Sequence, residues 1–559
     1  MFSEKSRILF FLYVCIFFAL VIGVRLFHLQ VLEGDFYAKL AGNQAEKTIT
    51  TYRGRGEIYD RTGKPMAINR RVASVFVFGS NLKDRRKFII DLANNGITMS
   101  KSNKKRVYKS DGFVWIKRNI GIEEARELKK NIPELDYTVT ENRLYPENEL
   151  ASSVIGFTGT DNQGLWGLEG RFEKVLKGDK TELVSLRDST GRLILFEDTR
   201  DKKRTVSSVH TTIDMYLQGT VEHLLREDAA AFRAREGVAV AMDVKTGDIL
   251  FAASSGGFDP NNFRSYGKSD WKNRAATFLY EPGSIFKPVS FSYLLDRHSQ
   301  DIEEKVDCEM GRYTIYGHTI KDVHRYGMLT AKDVLVKSSN IGIIKLTKKV
   351  KNEDFYEFLS IAGFGAKTGV LGLGEEEGLL RSYKNWSGLS RPSLSMGQEI
   401  LVTPLQMVRF YAAVANGGFL LKPRIVKEVS KNGRTVTPEV DRLPIMSETS
   451  ATKLGKILAE VVEEGTGKRA KSSYIDIAGK TGTGQRFDSE KGEYSSRDYA
   501  ASFAGFFPAD DPKIAMVVVY DSPRTSIYGG STAARTYRKI AEIASLYLGL
   551  KRNVINESL

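Results

Sequence analysis

Pro282-Gly283-Ser284-Ile285-Phe286-Lys287 sets a hydroxyl three residues ahead of an amine. On a helix that starts at Ser284 the two side chains share one face about a turn apart, so the amine can take the hydroxyl proton. A serine hydroxyl is a weak nucleophile at neutral pH and needs such a base, while free N–H groups at a helix N-terminus can steady an oxyanion. Ser-x-x-Lys alone decides little, because the spacing recurs at Ser80, Ser102, Ser265, Ser269 and Ser450. Order singles out the copy at Ser284. Ser338-Ser339-Asn340 follows it, then Lys480-Thr481-Gly482-Thr483, and three such elements in this order rarely arise by accident.

The chain has 559 residues, 42% of them hydrophobic, enough for a large core and two or more domains. A net charge of +15 and a pI near 9.4 would permit nucleic-acid binding. Lys and Arg are spread along the chain without a readout motif, so a basic surface facing an anionic envelope is the better reading and no nucleic-acid partner is expected. Two cysteines, Cys15 in an apolar run and Cys308 far downstream, argue against an intramolecular disulfide. No Cys/His metal spacing and no cofactor motif appears.

From Ile8 to Val24 the sequence is unbroken and apolar, flanked by Lys5, Arg7 and Arg25. That run can cross a bilayer as an uncleaved anchor, with the large remainder on the outer side. A cleaved signal peptide and a buried core helix are the rivals. The stretch 28–205 is mixed and charged, with strand-like runs at Val72–Val77 and Val154–Phe157. It carries Arg53-Gly54-Arg55-Gly56-Glu57-Ile58-Tyr59-Asp60-Arg61-Thr62-Gly63, in which Arg and carboxylates are expected to knit a module together. Arg143-Leu144-Tyr145-Pro146 and Gly164-Leu165-Trp166-Gly167-Leu168-Glu169 read as structural in the same sense. The charged run Arg200–Arg204 marks a boundary. Beyond it, Ile213–Arg233 reads as a helix with Leu217, Val221 and Leu224 on one stripe. Val238–Met242 and Ile249–Ala253 read as strands around a turn at Lys245–Asp248. A helical block holds Ser338–Asn340, three strands follow at Ile475–Thr483, Ala501–Phe507 and Ile514–Tyr520, and a helix closes the chain at Ala533–Leu548. Helices packed on an antiparallel sheet make this region α+β.

With these motifs the chain resembles a class B penicillin-binding protein, a monofunctional D,D-transpeptidase of peptidoglycan synthesis, and most resembles the division-type, septal branch. The resemblance adds the Arg55–Arg61 box, Thr212-Ile213-Asp214 with Leu217-Gln218, and Ser395-Met396-Gly397-Gln398 leading to Thr403-Pro404-Leu405-Gln406. It implies a cytoplasmic tail (1–7), a transmembrane anchor (8–27), a pedestal or dimerisation-type module (28–205), and a penicillin-binding, serine β-lactamase-like transpeptidase domain (206–559) with a helical subdomain. Residues 206–559 are then expected to fold and bind penicillin alone. The protein would sit in the cytoplasmic membrane with its catalytic domain on the periplasmic side.

By the same resemblance Ser284 is the acylated nucleophile, Lys287 its base, Ser338 a proton relay, and Asn340 an orienting group. Lys480 on an edge strand is a cation that supports Ser338 and depresses Lys287. The backbone N–H groups of Ser284 and Thr483 form the oxyanion hole, and Thr481, Gly482 and Thr483 flank the substrate carboxylate. Stem peptides are the implied substrate, β-lactams the covalent inhibitors, and a SEDS-type glycosyltransferase with other divisome or elongasome proteins the implied partners. Ser339 departs from the Asp of the Ser-Asp-Asn pattern, which counts against a class A β-lactamase. The alternatives are an elongation-type enzyme, a D,D-carboxypeptidase using water as acceptor, and a penicillin-binding sensor. The seven residues before Ile8 are too few for a sensor's output domain. The N-terminal region also lacks the carboxylate pair of a glycosyltransferase.

Overall fold

Five antiparallel strands lie at the centre of the larger of two units in the computed structural model. The structure describes residues 4–37, 47–52, 54–177, 180–187, 193–196, 207–431, 434–437, 439–488 and 493–550. The strands run in the order Ile249–Ser254, Glu236–Asp243, Ile514–Asp521, Glu493–Phe507 and Ala478–Asp488, which leaves Ala478–Asp488 at an edge. Strand side chains alternate between faces, and here both faces are covered, which is why these strands read as continuous apolar runs. Val238, Val240 and Met242 pack with Val517 and Val519 against the helices Lys287–Arg297, Pro404–Ala415 and Glu448–Glu463. Ala239, Ala241, Met516, Val518 and Tyr520 pack on the opposite side with Met215–Phe232 and Ala533–Leu548.

Local chemistry sets several boundaries. The helix predicted from Ile213 starts at Met215, because the Asp214 carboxylate caps it by accepting from the backbone N–H groups of Tyr216 and Leu217 at 3.1 and 3.2 Å. Leu225, rather than Leu224, completes its fully buried stripe with Leu217 and Val221, and each such side chain contributes about 1.5–3 kcal/mol by burial. Gln218 is buried because its side-chain oxygen accepts from the Ala252 N–H at 2.9 Å, joining helix to sheet. Thr403 and Gln406 form a reciprocal capping box around Pro404. The strand expected from Ile475 begins at Ala478. Val154–Phe157, expected to be extended, instead contains the last part of a helical turn, Ser152–Ile155. A short apolar run cannot separate the two periods, and Val154, Ile155 and Phe157 are buried whichever is adopted.

Arg55–Arg70 and Arg143–Lys177, read in sequence as parts of the 28–205 module, belong to the same compact unit as the residues after Val206. A buried carboxylate organises them. Glu169 accepts from Arg55 Nε at 2.6 Å, from Arg143 Nε at 2.5 Å and from the Tyr145 hydroxyl at 3.3 Å. Arg55 also bonds Glu173 at 2.6 Å and the Glu169 carbonyl at 2.9 Å. Buried charges persist only when paired and hydrogen-bonded in this way, so the Arg-rich box does knit these segments together. Asp60 holds its own turn through Thr62 and Lys64 and reaches the backbone N–H of Met215 at 3.3 Å.

The second unit holds the apolar helix Glu4–Phe27, whose 24 residues span about 36 Å at the helical rise. Its side chains, Phe10, Phe11, Phe17 and Ile22 among them, are exposed, unlike those of a core helix. The strands Lys47–Tyr52, Lys180–Arg187 and Leu193–Phe196 form one antiparallel sheet. Ala73–Phe78 pairs with Phe113–Ile120, and Val75, Val77, Val114 and Ile116 pack with Phe88, Leu92, Val107 and Leu128 of three helices. The boundary run Arg200–Arg204 lies outside the described residues.

Candidate active site

Ser284 lies in a 3-10 turn, Gly283–Phe286, that passes into the α-helix Lys287–Arg297. Sequence spacing predicts an α-helix from Ser284 itself, but Pro288 has no N–H to give the Ser284 carbonyl. The Lys287 N–H bonds that carbonyl instead, which tightens the turn. Gly283 takes φ +54°, and a Cβ there would stand 2.6 Å from the Thr483 carbonyl oxygen. Gly482 is closed to side chains too, since a Cβ would meet Ser502 Oγ at 2.4 Å, the Pro282 carbonyl oxygen at 2.8 Å and Ile285 Cγ2 at 2.9 Å. Two glycines therefore let the Gly283–Phe286 turn and the edge strand approach closely, bringing the Gly283 backbone against that of Thr483.

Behind the turn, the fully buried Lys287 amine donates to the Ser338 carbonyl at 2.6 Å, to Asn340 Oδ1 at 2.7 Å and to Ser338 Oγ at 3.3 Å. The equally buried Lys480 amine reaches the same Ser338 Oγ from the edge strand at 2.9 Å. Ser338 is thus a shared hydroxyl between two amines. It sits at φ +62°, an uncommon conformation for a side-chain-bearing residue, in the turn between the helices Ala331–Val336 and Asn340–Leu346. Ser339 faces away from the amines and caps the second helix at the Gly342 N–H, 2.9 Å away.

Burial lowers the Lys287 amine to about 7, against an opposing pull from the Asp322 charge. Burial also lowers Lys480 well below its ordinary value, and repulsion from Lys287 adds to this. A standing cation on Lys480 beside a neutral Lys287 is the sequence-based expectation. In the structure burial disfavours charge on both amines.

The edge strand presents Lys480, Thr481, Gly482 and Thr483 in register with Ala504, Phe503, Ser502 and Ala501. The Thr481 hydroxyl is 2.8 Å from that of Thr466, while the Thr483 hydroxyl accepts from the Gly529 N–H at 3.4 Å. Ser395–Gln398 backs the Ser284 turn: the Gly283 N–H donates to the Gly397 carbonyl at 2.9 Å, and Ser290 Oγ to that of Ser395 at 3.1 Å.

Sequence reasoning missed three neighbours. Asp322 accepts hydrogen bonds from Ser339 and Asn340, Thr466 touches both Lys480 and Thr481, and the buried Glu281 accepts from the Glu399 N–H and the Tyr494 hydroxyl, each at 2.9 Å. Only Glu281 carried a signal, as an acid between apolar residues and Pro282.

Residues 237–542 match the penicillin-binding protein transpeptidase domain, and residues 50–206 match the penicillin-binding protein dimerisation domain. The chain is 31% identical over 568 residues to stage V sporulation protein D of Bacillus subtilis, covering 98% of this chain and 87% of that protein. It is 31% identical over 538 residues to peptidoglycan D,D-transpeptidase FtsI of Escherichia coli, covering 94% and 89%. Its fold matches the crystal structure of penicillin-binding protein 3 from Mycobacterium tuberculosis complexed with aztreonam, with a TM-score of 0.70, 26% identity, and coverage of 90% of this chain and 98% of that one. The chain belongs to the class B penicillin-binding proteins, in which a dimerisation domain precedes the transpeptidase domain.

Proposed function

We propose that this protein is a division-type peptidoglycan D,D-transpeptidase with Ser284 as its nucleophile. The observation that carries this is the buried chain Lys287–Ser338–Lys480, anchored three residues from Ser284 and closed by the Lys480–Thr483 strand. Lys287 takes the Ser284 proton as Oγ bonds the penultimate D-Ala carbonyl carbon, and the developing oxyanion is held by the N–H groups of Ser284 and Thr483. Ser338 then relays a proton to the departing D-Ala amine, and the C–N bond breaks to leave an ester. A neighbouring stem-peptide amine resolves that ester into a cross-link. Thr483 and Gly482 flank the substrate carboxylate, while Thr481 acts through Thr466. A carboxylate beside the edge strand also favours the charged form of Lys480 and so the neutral form of Lys287.

The names of the B. subtilis and E. coli relatives support a role in division or sporulation septa. The apolar helix supports single-pass anchoring in the cytoplasmic membrane, with the catalytic domain outside. Glycan strands would come from a partner of the SEDS type, met through that helix and the membrane-proximal module along with other division proteins. The test is a cross-linking assay with pentapeptide-bearing glycan. Dimeric muropeptides that vanish with Ser284→Ala or penicillin support the reading. Release of D-Ala without dimers would make the enzyme a carboxypeptidase.

A further inference from the structure

Asp322 follows the hairpin strand His318–Lys321, away from the motifs that define the site. Its Oδ1 accepts from the backbone N–H groups of Asn340 and Ile341 at 2.5 and 3.1 Å, and its Oδ2 accepts from the Ser339 hydroxyl at 2.5 Å. The adjacent Lys321 carbonyl accepts from Asn340 Nδ2 at 3.0 Å. Asn340 is therefore held at its backbone and at its amide nitrogen, which leaves Oδ1 facing the Lys287 amine at 2.7 Å. One acidic side chain ties the hairpin to the turn that carries both Ser338 and Asn340.

The charges around this amine are few. The Lys287 amine is faced by Lys480 from the edge strand and by Asp322 from the hairpin, with the neutral Ser338 and Asn340 between. Around Asp322 itself lie Cys308, whose sulfur is 3.4 Å from Ser339 Oγ, and Tyr326; burial pushes both upward, so both are neutral at pH 7. Of the cations near Asp322, Lys345 is taken by Glu309 at 2.6 Å and the Asp307 carbonyl at 2.8 Å, and the adjacent Lys321 is exposed. Asp322 is thus the anion that acts on Lys287 across Asn340.

We propose that Asp322 is a positioning residue of this active site: its carboxylate fixes the Ser338–Asn340 turn so that the Asn340 carbonyl meets the Lys287 amine, and its negative charge sets the charge balance there. The proposal rests on Lys287 being the base for Ser284. It also gives Ser339 a purpose, as one of the groups through which the carboxylate grips the turn.

The test is the rate of acylation of the full-length protein by a fluorescent penicillin between pH 5 and 10. In wild type the rate rises with half-maximum near the about 7 of Lys287. Asp322→Asn keeps an oxygen for the Asn340 and Ile341 N–H groups but removes the charge, so the midpoint should move down by about one pH unit while the high-pH plateau stays within about tenfold of wild type. Asp322→Glu, which keeps the charge, should leave the midpoint in place. An unmoved midpoint in Asp322→Asn overturns the proposal, as does a uniform fall at every pH, which would mark a purely structural role. Should Asp322→Asn not fold, Asp322→Ser against Asp322→Glu makes the same comparison. Ser284→Ala and Lys287→Ala are measured alongside. Undiminished acylation in either removes the nucleophile–base reading and the proposal with it, whereas loss in both with an unmoved Asp322→Asn midpoint removes the proposal alone.

Discussion

In the proposed mechanism Lys287 must be neutral to accept a proton, and the fold withdraws its amine from water while giving it three oxygens to point at. Lys287→Ala should abolish acylation. Lys480→Ala should slow it and shift the rising limb to higher pH, because both lost repulsion and water entering the vacated space favour the charged form of Lys287. Acylation pH profiles of the three proteins check this, and superimposable midpoints would refute the coupling. Glu281 offers a stability test of a different sign. Burial raises its carboxyl to about 7, so the stability linked to its neutral form is complete below the ordinary carboxyl range and is lost as pH rises through 7. Glu281→Gln keeps an oxygen for Tyr494 and Glu399 and sheds the titration. It should match wild type in urea melts at about pH 4 and exceed it by about 1–3 kcal/mol at pH 8.5. Ser284, Lys287, Ser338, Asn340 and Lys480 stand out in the sequence as candidates because fixed local spacings mark them, and the structure brings Lys287, Ser338, Asn340 and Lys480 into one hydrogen-bonded cluster. Asp322 and Thr466 were not, since their roles arise only when distant segments meet.

Among the elements, the strands were readable because both faces of the sheet are buried, giving the apolar runs at Val238–Met242 and Ile514–Tyr520. The turn at Ser284 was less so. Its 3-10 geometry depends on Pro288, one residue beyond the motif, and its contact with the edge strand depends on two glycines whose neighbours no local pattern reveals. That contact is directly testable. Gly482→Ala places a methyl group against Ser502, Pro282 and Ile285, which forces the strand away from the turn. Acylation should fall about a hundredfold or more, the scale of a displacement near 1 Å at reacting atoms, while the protein still unfolds cooperatively. A wild-type acylation rate would show that the close approach does not matter.

For the whole molecule, the sequence invites a division near residue 205 that makes residues 206–559 self-sufficient. The structure distributes the larger core differently. Ile58, Phe157, Leu168 and Leu176 lie in the same hydrophobic cluster as Val289, Leu405 and Val517, and Glu169 holds two buried arginines among them. A fragment of 206–559 lacks Ile58, Phe157, Leu168, Leu176 and Glu169 and should be markedly less stable than a chain beginning before Arg55. In the full chain Glu169→Ala should cost about 3–5 kcal/mol in chemical denaturation, because it leaves buried guanidinium groups without their shared carboxylate. Equal stability of fragment and full chain would contradict that picture. The central claim, that Ser284 is the acylated residue, is tested most directly by intact mass and peptide mapping after exposure to benzylpenicillin. One covalent adduct on the peptide containing Ser284, absent from Ser284→Ala, is the predicted result; an undiminished adduct on that variant, or an adduct mapped to another residue, would contradict it.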